Sequence, residues 1–481
     1  MRSDSKKLPV CFNAIAWLWV FTLLSGCAVG PNYKRPVIDS PANFRDDTAS
    51  GTNSFGDSEW WAVYQDPILQ SLVREAITNN YDLLIATARV EQERALAVQA
   101  RSQFFPNLEY NGTITRGRNE LFGSLFPNSG VTASSALVSL NTFWEFDLWG
   151  RIRRLNEAAR ARALASENAR NGVMLSLLSD VASDYFRLLE LDRELEIDAR
   201  TTNSFGDSLN IFRQRMEGGT GSALETSRAE AAMADAESAT PFVLQEIALT
   251  ENELCILLGR NPGPIDRSKP DISGQLPPNV PVGLPSQLLE RRPDIRQAEQ
   301  LLRAANADVG ESVAEFFPKI GLTALLGRVS PELSAFSLGS ANAWGVAAQT
   351  TGPIFEGGKL VGQYHQTKAA KEEAILRYRQ SILFALRDVS DALISRQRLA
   401  EIRDQQATEV ASLEKAVKLA TERYVAGKAN YYEVLEAQQQ LFPAQLNLAR
   451  TQRDEQLVIV TLYKSLGGGW QENRRIEKEK L

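Results

Sequence analysis

The side chains that most often carry chemistry are scarce in this chain. Its 481 residues include a single histidine, His365, and three cysteines. A three-histidine zinc site is therefore impossible within one chain. His365, flanked by Tyr364 and Gln366, reads as a helix-surface residue. The stretch from Gly352 to Lys359, GPIFEGGK, is one residue too long for a phosphate-binding loop, and Leu360 stands where Ser or Thr would meet a metal ion. No GxSxG and no HExxH occurs. Carboxylates remain. Glu433 and Glu436 are three apart, hence on one helix face, but nothing pairs an acid with a concave site. No catalytic residue, metal ligand or cofactor is assigned, and the expected function is not an enzyme's.

The cysteines are informative by position. Cys255 sits in the apolar stretch NELCILLG and reads as a buried thiol. Cys11 lies in a first apolar run, Val10 to Leu24, that follows Arg2, Lys6 and Lys7. This run suits an export signal over 1–26 and is short for a spanning helix of about 20 residues. It ends Leu24-Ser25-Gly26-Cys27, which resembles the bacterial lipobox, in which the cysteine takes a covalent lipid; an ordinary signal with an accidental cysteine is the alternative. Ala28 follows, not Asp, and in lipoprotein sorting that resemblance implies delivery to the outer membrane. A lipid alone would leave the rest of the chain in the periplasm unless it carries its own membrane element. The net charge of −6 argues against a general nucleic-acid binder.

Whatever these residues do is positioned by a repeat. Phe104-Phe105-Pro106 and Phe316-Phe317-Pro318 each end an Ala-rich, charged run. At the same offset Asp82-Leu83 meets Asp294-Ile295, Ala86 meets Ala298 and Ala95 meets Ala307. Further on, FDLWGRI (146–152) meets IFEGGKL (354–360), and Gly219 meets Gly427. Two structural repeats follow, 81–260 and 291–466, joined by a linker 261–290 and flanked by an extended segment 27–80 and a tail 467–481.

Each repeat reads as helix, two strands, long helix, tight turn, shorter helix. In the second, Ile375, Tyr378, Ile382, Ala385, Val389 and Ala392 recur at 3,4 spacing, as do Val410, Leu413, Val417, Ala420 and Tyr424. This is the coiled-coil period. The long helices are expected over about 151–216 and 359–424, each about 100 Å at 1.5 Å per residue. Shorter helices follow over about 222–258 and 430–465, turned at Gly218-Gly219-Thr220-Gly221 and at Gly427. Pro443 should kink the last one.

The strands, over about 106–118, 131–147, 318–329 and 341–355, alternate. Leu108, Tyr110 and Ile114 share one face; Val138, Leu140, Trp144 and Phe146 another; then Ile320, Leu322, Ala324 and Leu326, and Trp344, Val346 and Ala348. Membrane barrel strands look like this, and on pattern alone so does a soluble half-buried sheet. Four strands are too few to close a barrel in lipid, where open edges are not tolerated. If they span a membrane, three copies would give twelve strands and four would give sixteen.

LLERRPDIRQAEQLLRAANADVG (288–310), FFPKIGL, GPIFEGGKL, ERYVAGKANYYEVLEAQQQL and LYKSLGGGW together resemble the TolC-like outer-membrane efflux family. The lipobox and GPNYKRP (30–36) point to its OprM/NodT-type lipoprotein branch. The resemblance implies a mostly helical fold with a membrane β-barrel part. It implies a homotrimer whose twelve-stranded barrel in the outer membrane of a Gram-negative bacterium continues as a twelve-helix periplasmic tunnel. It also implies a passive exit duct for drugs or other small molecules, served by a periplasmic adaptor and an inner-membrane resistance–nodulation–division pump. Each Phe-Phe-Pro then marks where helix becomes barrel.

The resemblance places a periplasmic gate near Gly219 and Gly427. Glu433 and Glu436, six and nine residues past Gly427, match the constriction acids and in a trimer would ring the entrance and favour cations. Glu225 holds the equivalent place in the first repeat. Tyr424 matches a gate tyrosine and could bond Glu225, or could be a core residue. Ala429 stands where the family has a charged residue, so a latch or ring at that position is absent. Arg215, Gly218, Gly219, Arg423, Ala426, Gly427 and Lys428 are the implied adaptor contacts, and Cys27 the lipid attachment point. Rival readings are a barrel-less periplasmic coiled-coil adaptor or scaffold lipoprotein, which FWEFDLW and the four strands argue against, and a metal-ion or type I secretion duct.

Overall fold

The computed structural model describes residues 28–38, 41, 44, 64, 66–118, 132–267, 285–330 and 342–468. The expected signal 1–26 and Cys27 lie outside them, as does the tail beyond residue 468. In chain order come α1 (Pro67–Asn79), α2 (Tyr81–Ser102), β1 (Asn107–Arg118), β2 (Thr132–Phe146), α3 (Arg151–Glu217) and α4 (Ala223–Leu257). After a 3-10 turn (Pro285–Gln287) come α5 (Leu288–Arg291), α6 (Pro293–Ala314), β3 (Lys319–Ser330), β4 (Asn342–Thr351), α7 (Lys359–Val425) and α8 (Tyr431–Ser465).

The repeat is kept to the residue in the longer helices. Adding 212 converts the bounds of α2 into those of α6, and adding 208 converts α3 into α7 and α4 into α8. All four helix ends stop alike. Gly219, Gly259, Gly427 and Gly467 have φ of 72°, 71°, 68° and 71°. At each, the next residue's N–H donates back across the last turn: Thr220 to Arg215, Arg260 to Cys255, Lys428 to Arg423, Gly468 to Tyr463. This closure needs a left-handed residue, which glycine supplies without steric cost. Pro241 and Pro443 lie inside α4 and α8, and neither helix is divided there.

The reading of 27–80 as extended is corrected at α1. Asp66 caps that helix, accepting from Ile68 N (2.9 Å) and Leu69 N (3.3 Å), and Pro67 opens it. Leu69, Leu72, Val73 and Ala76 form its buried stripe at 3,1,3 spacing. The polar stretch before Asp66 masked a short amphipathic helix.

The described chain forms two compact units. One holds residues 90–165, 298–378 and the N-terminal stretch through Val37. Its four-stranded antiparallel sheet runs β1-β2-β3-β4. Tyr110 pairs with Leu140, Leu140 with Leu326, and Leu326 with Trp344, so these four share one face. That face is exposed: Tyr110 is 87% and Trp344 78% accessible. On the other face Asn141 bonds Ser139 (3.1 Å) and Thr113 bonds Asn111 (2.8 Å). Each Phe-Phe-Pro is a last unwound turn, with Phe105 N donating to Ser102 O and Phe317 N to Ala314 O, before the strand begins. The extended stretch 28–37 is pinned here: Arg154 reaches Asn32 (2.8 Å), Asn306 bonds Pro31 O (2.9 Å), and Arg35 pairs with Glu299 (3.0 Å).

The other unit comprises residues 38–89, 166–297 and 379 onward. It is helical, with Leu178, Tyr185, Leu188, Leu254 and Tyr463 fully buried; each such aliphatic side chain contributes roughly 1.5–3 kcal/mol of transfer free energy. The stripe of α7 within this unit is Ile382, Ala385, Val389 and Ala392, all buried, with exposed Leu383 and Phe384 beside it.

Candidate gate at the helix-hairpin tips

Two hairpin tips belong to the helical unit: α3 turns into α4 at Gly218–Ser222, and α7 into α8 at Ala426–Asn430. The turns themselves are exposed at Gly218, Gly219, Ala426, Gly427 and Lys428, as are Arg423, Glu433 and Glu436. Behind them lies one apolar cluster. Phe212 of α3 packs edge-on against Tyr424 of α7 (5.3 Å between centroids) and Tyr431 of α8 (4.1 Å). Phe205, Leu209, Ala229, Ala232, Val434 and Leu435 complete it. The heptad stripes of four helices thus meet within a few turns of both tips.

The polar groups divide unevenly between the repeats. Glu225 and Glu433 occupy the same third position of α4 and α8. Glu225 closes a capping box, its carboxylate accepting from Ser222 N at 3.1 Å. Glu433 is released from that task, because Asn430 caps α8 by accepting from Glu433 N (3.3 Å). Its carboxylate instead leans toward Arg423, 3.6 Å away, with both side chains about half exposed. Such a pair is worth little and can exchange. Glu436 is exposed one turn on.

Arg215 and Arg423 are also repeat-equivalent and also diverge. The guanidinium of Arg215 lies 4.6 Å from the centre of the Tyr424 ring and donates to Tyr424 O at 3.4 Å. The possible bond between Tyr424 and Glu225 is thus replaced: Glu225 is engaged by its own helix end, and Arg215 fills the place. Tyr424 is buried, and burial raises its phenol pKa.

Four residues here were not singled out from sequence. Tyr431 is buried, its phenol pushed up to about 12 chiefly by burial, and its hydroxyl has no hydrogen-bond partner among the described residues. Gln438 of α8 donates to Ser204 Oγ (2.8 Å) and Ser208 Oγ (3.1 Å) of α3. The signal for Gln438 was its place on the apolar side of α8, one turn beyond Val434. Ser204 and Ser208 carry no signal of their own.

The profile of the outer membrane efflux protein family matches residues 72–260 and 284–468, once for each repeat. The chain belongs to the outer membrane efflux protein family. It is 35% identical over 463 residues to the solvent efflux pump outer membrane protein SrpC of Pseudomonas putida, covering 94% of this chain and 97% of that protein. To the cation efflux system protein CusC of Escherichia coli it is 30% identical over 474 residues, covering 98% and 100%. Among solved structures, the outer-membrane channel OprN superposes with a TM-score of 0.86 at 28% identity, covering 92% of this chain and all of that one. The MtrE channel of Neisseria gonorrhoeae, in its open state, gives 0.82 at 28% identity, covering 92% and 99%. This efflux protein is therefore an outer-membrane exit channel, and the alternating strands are those of such a channel, not of a barrel-less scaffold.

Proposed function

We propose that three copies of this chain close one twelve-stranded barrel and conduct small organic molecules, received from an inner-membrane resistance–nodulation–division pump through a periplasmic adaptor. The observation that carries the reading is the sheet: four strands, an exposed apolar face, and β1 and β4 as its two edges. In lipid such edges must find partners. The chain supplies the template. Under the repeat offsets, the β1·β2 register (Asn107 with Phe143) becomes the β3·β4 register (Lys319 with Thr351). The β2·β3 pairing of Leu140 with Leu326 then sets β4 against β1 of the next copy, with Ala348 opposite Ile114. Ala348→Cys/Ile114→Cys should give a covalent trimer on oxidation. Monomer alone, with both thiols reactive, would contradict the closure.

Lipid on Cys27 fits this arrangement. Ala28, the next residue, lies against Gly150, and Val29 N donates to Trp149 O (2.9 Å) at the end of β2. There the Trp149 ring stacks on Phe317 at 4.6 Å, an aromatic pair suited to a membrane interface. A covalent lipid attached at that level would enter the near leaflet of the membrane that the barrel spans. The exposed tips carry the adaptor contacts, with Gly218, Gly219, Ala426, Gly427 and Lys428 outermost and Arg215 and Arg423 behind them. Glu433 and Glu436, exposed and without a capping role for their carboxylates, form the cation-favouring ring, with Tyr424 and Glu225 holding the helix ends. The relatives' names span solvent, toluene, antibiotic and cation efflux; for a passive duct the pump makes that choice.

A further inference from the structure

The two repeats are not chemically identical where α2 and α6 begin. In the second, the guanidinium of Arg292 is held by two carboxylates. Asp294 accepts from Nε (3.1 Å) and from one terminal nitrogen (2.8 Å), and Asp388 accepts from that same nitrogen at 3.1 Å. The other terminal nitrogen bonds Ser465 O at 3.2 Å. Burial would disfavour this cation, and the two acids more than compensate, so its pKa is raised.

The first repeat keeps the carboxylates and lacks the arginine. Asp82 corresponds to Asp294 and Asp180 to Asp388 under the same offsets, while Asn80 stands in place of Arg292. Asn80 reproduces only the backbone contact: its Nδ2 bonds Leu257 O at 3.0 Å, and Leu257 is the counterpart of Ser465. It is too short to reach further. Together with Arg292 and Asp294 of the second repeat, Asp82, Asp180, Arg89 and Lys464 line a cavity of about 620 Å3. Among the described residues none of Asp82, Asp180, Arg89 and Lys464 forms an ion pair. Burial raises the Asp180 pKa, and Lys464 offsets only part of that cost.

We propose that this cavity is a binding site for a small zwitterion, whose guanidinium or ammonium takes the seat that Arg292 fills in the other repeat and whose carboxylate meets Lys464 and Arg89. Arginine and short basic peptides have this chemistry. The second repeat shows that two acids so placed hold a guanidinium, and the first leaves the same acids facing open space. The cavity is lined within the helical unit, so the site does not depend on conduction or on the gate.

The test is calorimetric titration of L-arginine into the purified, detergent-solubilised full-length protein. Saturable binding is expected, weakened at least about tenfold in Asp180→Asn and in Asn80→Arg, which fills the seat from within. Agmatine, which lacks the carboxylate, should bind more weakly than arginine. Asn80 also caps α2 through Leu83 N (2.9 Å), so if Asn80→Arg misfolds, Asp180→Asn alone decides. No saturable binding at about 10 mM arginine, or equal binding by wild type and Asp180→Asn, overturns the site. Agmatine binding as well as arginine overturns the role given to Lys464 and Arg89.

Discussion

Arg215, at the end of α3, lies with its guanidinium 4.6 Å over the ring of Tyr424, at the end of α7. The contact joins one hairpin to the other, whereas its repeat counterpart Arg423 pairs with Glu433 inside its own hairpin. A cation over a partly desolvated ring is worth roughly 0.5–2 kcal/mol. Arg215→Ala should therefore loosen the tips and raise the basal current of the channel in bilayers, with Arg215→Lys intermediate. Arg423→Ala should change that current less. A larger effect from Arg423 would contradict this assignment.

Glu433 and Glu436 are exposed, and neither carboxylate caps its helix. Neutralising both, as Glu433→Gln/Glu436→Gln, should lower the preference for cations in reversal-potential measurements and relieve block by divalent cations, with little change in thermal stability. Unchanged selectivity and block would remove the carboxylate ring. Glu225→Ala should instead cost stability, of order 0.5–2 kcal/mol for a lost cap, visible as a lower melting temperature.

Four glycines share one backbone conformation, but their surroundings differ. A methyl group on Gly219 or Gly427 meets nothing within 4 Å, whereas on Gly467 it would stand 2.8 Å from Arg292 Cα and on Gly259 it would run into Asn79 O. Gly219→Ala and Gly427→Ala should cost about 1 kcal/mol from the left-handed backbone alone. Gly259→Ala and Gly467→Ala should be markedly worse, because backbone must move. Melting temperatures of the four variants order this directly; equal losses would contradict it.

Glu190, Glu194 and Asp198 form a buried ladder on α3. Burial pushes the Glu190 carboxyl up to about 7 and Asp198 up to about 6, with Glu194 adding repulsion to each. Arg187 and Arg453 hold Glu190 lower than burial alone would, and Arg450 approaches it at 3.8 Å. A carboxyl with a raised folded pKa binds its proton more tightly in the folded state. Its destabilising effect is full above the folded value and is relieved as pH falls toward the ordinary carboxylate range. Melting temperature should therefore rise as pH is lowered from about 8 to about 5.5. Asp198→Asn, which removes a buried acid with an oxygen lacking a partner among the described residues, should flatten that rise and stabilise the protein at the higher pH, by roughly 1–3 kcal/mol.

The repeat was legible because glycine and Phe-Phe-Pro punctuate it at fixed offsets, and the long helices because a 3,4 stripe such as Tyr378 to Ala392 has no other use. The strands were legible as alternation, though only sheet edges and exposure at Tyr110 and Trp344 give that alternation a membrane meaning. Helix α1 was missed because its apolar stripe is short and follows polar sequence. At the tips, residue types were visible but their engagements were not. Whether Tyr424 meets Glu225 or Arg215 depends on side chains from different hairpins, about two hundred positions apart, and no local pattern fixes that. Asn80 in place of Arg292 can be read at the 212-residue offset, but only the fold brings Asp82 and Asp180 to one cavity.

We propose a gated trimeric duct for this efflux protein. Planar-bilayer conductance of the purified protein, with its mass in detergent determined alongside, tests it most directly. A trimer giving discrete, cation-leaning steps is the result predicted. A monomer, or a trimer that never conducts even after Glu433 and Glu436 are neutralised, would contradict it.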